Sequence, residues 1–198
     1  MTIAIFAAVA LGIGAGIFIV PQSAVPHMGT VITAGLSLLL FFVGIDVGRQ
    51  GGLFKKLKEM GFAILLIPFM IALGSILGTI AGGLFLRIPW HHAGAVGAGF
   101  GWYSFSAIEL SKHSAQLGTL AFITNITREV IALVSIPFVA KYLGKLESIA
   151  PAGATSMDVT LPVIAKATDG NIAIIAFISG VVLTAVVPVL VPFMMTLG

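Results

Sequence analysis

Residues 171–197 run without a single charged side chain, and 2–20, 28–47 and 61–86 are almost as apolar. A fifth stretch, 115–142, is apolar at both ends and polar only near its middle. The hydrocarbon core of a bilayer is about 30 Å thick, and a helix needs about 20 apolar residues to cross it. These runs are continuous rather than alternating, which selects helices over the short dyad-patterned strands of an outer-membrane barrel. Only 9% of the 198 residues are charged and 59% are apolar, whereas a soluble domain carries about 25% charged residues. The chain is therefore expected to be an all-α, polytopic integral membrane protein whose main partner is the lipid bilayer.

Short loops rich in Lys and Arg stay in the cytoplasm. Arg49, Lys55, Lys56 and Lys58 cluster between the second and third apolar runs, so that loop is placed inside, and the N-terminus with it. The first run lacks a basic leader and a polar cleavage region and is read as a retained span. Two further segments, 93–111 and 149–169, are too interrupted to be plain spans. If both cross, the chain has seven transmembrane elements; if both are re-entrant, it has five. The odd number puts the C-terminus outside, and Lys141 and Lys145 then fall outside as well, against the charge rule. No repeat appears at solenoid periods and no linker divides the chain, so 1–198 is one transmembrane domain, expected in the inner (cytoplasmic) membrane.

Irregular backbone survives at membrane depth only against protein or a water-filled cavity. Gly97–Ser106 (GAGFGWYSFS) and Gly153–Pro162 (GATSMDVTLP) force that question. Broken helices near mid-membrane are how many secondary transporters build their sites, which makes Trp102, Tyr103, Ser104, Thr155, Ser156 and Asp158 candidates for substrate or ion binding. Close packing on small residues is the plainer account of either stretch. Arg128 and Glu129 lie about 13 residues from either end of their run, too deep to reach the interface, and such residues mark ion or substrate paths. Asn125 shares the face of Glu129, and Thr124 that of Arg128. Arg128 has a second reading, as a tie holding the carbonyls of a broken helix. Asp46, at the end of the second run, is either an intramembrane carboxylate or an interfacial partner of Arg49. Glu109, with Lys112 and His113 at helical spacing, reads as a paired interfacial residue.

Several function classes are excluded. There is no cysteine, no histidine pair at the i, i+4 spacing of a one-helix zinc site and no P-loop, so neither metal nor nucleotide cofactor is expected. Ser104 and Ser106 have no histidine base at membrane depth, so the chain does not read as an enzyme. No basic stripe meets an aromatic platform, which excludes nucleic acid.

At FGWYSFS (100–106), TNITREVIAL (124–133), GATSMDVTLP (153–162) and LLLFFVGIDVG (38–48) the sequence resembles the LysO-type lysine exporter family over essentially the whole chain. The resemblance implies export of lysine, a cationic amino acid, by proton antiport. It places the family's intramembrane acidic residues on Glu129 and Asp46. It also implies a fold distantly similar to cation/proton antiporters with crossed discontinuous helices. Full-length members carry about three further N-terminal spans, so the resemblance also implies a separate small membrane subunit, a homodimer, or both. The expected mechanism is alternating access to a cavity lined by Gly99–Ser106, Thr155–Asp158 and Glu129, where carboxylates exchange an ammonium group for a proton. The rival readings are a cation/proton antiporter without an amino-acid substrate and a structural subunit of a larger permease.

Overall fold

The computed structural model describes residues 61–198 together with positions 7, 11, 12, 14–16, 18–21, 38, 41 and 45. The first two apolar runs, apart from those positions, and the candidates Asp46, Arg49, Lys55, Lys56 and Lys58 lie outside the described residues.

Every element among the described residues is helical. In chain order they are α1 (Leu66–Phe85), α2 (Trp90–Gly97), α3 (Tyr103–Ser111), α4 (Ala115–Tyr142), α5 (Leu161–Ala167) and α6 (Gly170–Met195). Short 3-10 turns precede α1 (Gly61–Leu65) and punctuate the stretch before α5 (Glu147–Ile149 and Gly153–Met157). By length and composition α1, α4 and α6 can cross a membrane, matching three of the five apolar runs. Pro68 sits in the first turn of α1, where no intrahelical bond needs its missing N–H. Ser114 caps α4 by accepting the Leu117 N–H, and Asp169 caps α6 by accepting those of Asn171 and Ile172. The large apolar side chains of Phe69, Leu84, Phe85 and Val189 point outward, as a lipid-facing surface requires.

Both weak segments are broken, as the sequence predicts, and their ends show how they lie. Lys145, just after α4, pairs with Asp169 at the start of α6 at 3.0 Å. The intervening segment therefore leaves and re-enters at the same face. The other segment behaves alike: His92 at its start and His113 at its end lie within electrostatic range of each other. That pair occupies the opposite face, together with the C-terminus, because Gly94 packs on Met194 and His91 on Gly198. Among the described residues, each broken segment thus returns toward the end of the bundle from which it started.

With the two ends of the first broken segment together, α4 runs back toward the end from which α1 starts, and Lys141 and Lys145 lie at that end. Asp169 is partly exposed, and its hydrogen bond from Lys145 holds its carboxyl below the ordinary value, with the α6 amides adding to the effect. The stabilisation it gives is present above the ordinary carboxylate range and is lost as pH falls through the lowered value. Asp169→Ala is expected to cost about 1 kcal/mol through the cap, read as a lower unfolding midpoint in detergent.

Candidate functional site

Contacts from near the midpoints of the three long apolar helices hold both breaks. The first is pinned by α1 and α4. The Ser75 hydroxyl donates to the Gly97 carbonyl at 2.9 Å. Asn125, only 2% exposed, donates to the Val96 carbonyl at 3.1 Å and accepts the Gly101 N–H at 2.8 Å. Asn125 thus satisfies the backbone groups that the end of α2 leaves open. The second break is pinned by α4 and α6. Ser156 Oγ shares its proton between the Gly153 carbonyl at 2.7 Å and the Ala176 carbonyl at 2.8 Å.

The two breaks touch tip to tip. The Ala154 N–H donates to the Phe100 carbonyl at 2.9 Å, and the contact needs unusual backbone on both sides. Phe100 is fully buried at φ 49°, and Gly153 sits at φ 62°. A Cβ on Gly153 would run into the Phe100 carbonyl and come within 2.9 Å of Arg128 Nη2. Gly153→Ala therefore combines left-handed strain with steric overlap. It is expected to destabilise the protein by about 1–3 kcal/mol, measured as a fall in unfolding midpoint.

Arg128 ties these parts together. Its Nε donates to Pro151 O at 3.1 Å, its Nη2 to Ala150 O at 3.2 Å and its Nη1 to Ser75 Oγ at 2.5 Å. Through Ser75 the guanidinium links the carbonyl end of one break to that of the other. It has no carboxylate partner among the described residues, so Arg128 and Glu129 are neighbours in sequence and not an ion pair. Arg128 and Thr124 also line two clefts, one of about 440 Å³ beside α1 and one of about 500 Å³ between α4 and Pro151. The carbonyl-tie reading of Arg128 is the arrangement formed.

Glu129 occupies a different face of α4. It is half-buried, and its Oε2 is buried with no hydrogen-bond partner among the described residues. It lies within electrostatic range of Asp158, and both carboxylates act on the Tyr103 hydroxyl. Asp158 Oδ1 accepts the Val159 N–H at 2.6 Å. Tyr103 packs edge-on against Phe122 at 5.5 Å. The structure thus gathers Tyr103, Glu129 and Asp158 beside the meeting tips, where the low dielectric strengthens any charge interaction. Two carboxyl groups there, one with an oxygen left unpartnered among the described residues, suit a proton or an ammonium group.

The other candidates are placed as follows. Thr155 Oγ1 donates to Ala152 O at 2.9 Å, and with Ser156 it is spent holding the second break. Trp102 stacks on Phe105 at 5.0 Å. Ser104 is exposed on α3. Glu109 pairs with Lys112 at 2.5 Å, as its spacing predicts. Ser75 was not legible as a site residue; its one signal is a lone serine between Gly74 and Gly78.

The family model for the lysine exporter LysO matches residues 6–195. "Lysine exporter LysO" of Escherichia coli (strain K12) is 33% identical over 159 residues, 80% of this chain and 52% of that protein. "Putative lysine exporter" of Haemophilus influenzae (strain ATCC 51907 / DSM 11121 / KW20 / Rd) is 32% identical over 161 residues, 80% of each chain. The chain therefore spans about half the length of the Escherichia coli relative and four-fifths of the other. No solved structure matches it. With its apolar spans and a family match covering nearly its whole length, this membrane protein belongs to the lysine exporter LysO family.

Proposed function

We propose that the chain is the site-bearing part of a secondary transporter that exports lysine, or a closely related cationic amino acid, in exchange for protons. One observation carries the reading: a buried carboxylate oxygen of Glu129 without a partner among the described residues, within electrostatic range of Asp158. An uncompensated buried carboxylate is expensive, and the expense is offset when a proton or an ammonium group occupies it. Exchange between these two occupants at one site is antiport. The names of the two relatives support lysine as the substrate.

The charge distribution supports an orientation in the inner membrane. Among the described residues Lys141, Lys145 and Lys166 lie toward one end of the helices and Arg87 and Lys112 toward the other, which supports the richer end as the cytoplasmic one. Gly74, Gly78 and Gly82 line α1 one turn apart, and among the described residues nothing lies within 4 Å of an added Cβ on them. Such a stripe permits close helix approach, which supports a companion membrane subunit or a second copy of the chain in the assembled permease.

The test is lysine counterflow in proteoliposomes holding the chain. Labelled lysine is expected to accumulate in vesicles preloaded with lysine. No accumulation, together with cation-driven dye quenching, would favour the antiporter without an amino-acid substrate.

A further inference from the structure

Ala121-Phe122-Ile123-Thr124 of α4 recurs as Ala176-Phe177-Ile178-Ser179 in α6, 55 positions later. The same spacing carries Pro137-Phe138 onto Pro192-Phe193 and one N-cap, Ser114, onto the other, Asp169. The caps match in detail, since Leu117 and Ile172, each three residues beyond its cap, donate to it at 3.1 and 3.2 Å. Burial follows the same register. Gly118, Ala121, Asn125, Ala132 and Ile136 are buried in α4, and their mates Ala173, Ala176, Gly180, Val187 and Val191 are buried in α6. Asn125 bonds the tip of the re-entrant segment before it. Gly180 approaches the tip of its own so closely that a Cβ would lie 2.5 Å from Met157 N.

Each copy is thus a re-entrant segment followed by one spanning helix. A unit that crosses the membrane once must reverse its orientation when repeated in tandem. The two copies are therefore inverted, with their re-entrant segments entering from opposite faces and meeting at their tips.

The register also pairs the site residues. Tyr103 and Asp158 are mates, each just beyond its break; Glu129 and Thr184 are mates, each at mid-span. Tyr103, Glu129 and Asp158 already share one electrostatic cluster. Thr184 Oγ1 lies 3.6 Å from Met157 Sδ, one residue from Asp158. We infer that residues 90–144 and 145–198 are an inverted repeat related through the candidate site, and that Thr184 is the site's fourth member, a hydroxyl acceptor for the substrate's ammonium group opposite Glu129. The role of Thr184 rests on the proposed lysine export; the repeat does not. Inverted repeats provide alternating access by exchanging the conformations of their halves around a fixed site. Here each re-entrant segment guards the face from which it enters.

The absence of cysteine allows single-cysteine labelling with a membrane-impermeant maleimide. Arg87→Cys and Lys112→Cys are expected to react from one face, and Lys145→Cys and Lys166→Cys from the other. Labelling of either pair from two different faces overturns the repeat. In lysine exchange, Thr184→Val is expected to raise KM about 10-fold with kcat within about 3-fold, as loss of one acceptor to a charged group predicts, and Thr184→Ser to restore KM. An unchanged KM in Thr184→Val, or a Thr184→Ser variant as impaired as Thr184→Val, overturns the role of Thr184. A wild-type chain that carries no lysine defeats the parent reading and that role with it, while the labelling still decides the repeat.

Discussion

Glu129→Gln is expected to lower lysine exchange by about 100-fold or more, the scale on which a positioned proton carrier contributes, and to flatten the pH dependence of what remains. The same change is expected to leave the unfolding midpoint equal or higher. Oε2 of Glu129 has no partner to lose, and a neutral amide is cheaper to bury than an uncompensated carboxylate. Initial exchange rates across a pH series, with a melting curve in the same detergent, measure both. A stable variant without transport marks a functional carboxylate. A destabilised one marks a structural carboxylate, and would move the site to Asp158 and Tyr103.

Arg128→Met should behave in the opposite way. The substitution removes three charge-assisted bonds and leaves the Ala150 and Pro151 carbonyls and the Ser75 hydroxyl without their donor. Hydrogen bonds to charged groups contribute about 1.5–3 kcal/mol each and are not additive, so a loss of about 3–5 kcal/mol is expected. That is enough to prevent assembly of a marginally stable protein. Arg128→Lys should rescue little, because one ammonium nitrogen cannot present donors toward α1 and two successive carbonyls at once. Folded yield and unfolding midpoint of the two variants are the measurement. Near-normal yield in Arg128→Met would show that the tie between the breaks carries little of the fold.

The contrast between two adjacent residues shows what the sequence could reveal. An arginine and a glutamate 13 residues deep in an apolar run already point to the protein interior, whatever the fold. Their division of labour was not legible, because it depends on which face of α4 meets the carbonyls of Ala150 and Pro151 and which meets Asp158. The broken segments were legible from glycine, proline and polar residues clustered where a span should be plain. Whether they cross was not, since that is set by end-to-end contacts such as Lys145 with Asp169. Asn125 was placed on the right face by helical spacing, but its partners are backbone groups of Val96 and Gly101, which side-chain patterns do not announce. The inferred repeat is faint in the sequence because its copies share only short matches such as AFIT and AFIS, at a spacing longer than solenoid periods.

Antiport is the central claim, and lumenal pH tests it most directly. Proteoliposomes holding the chain are loaded with lysine and a trapped pH dye, then diluted into lysine-free buffer at the same pH. Lysine leaving by exchange should draw protons in, acidifying the lumen in step with lysine loss, and Glu129→Gln vesicles should show neither. Protein-dependent lysine efflux with no change in lumenal pH would contradict proton exchange at the Glu129 site.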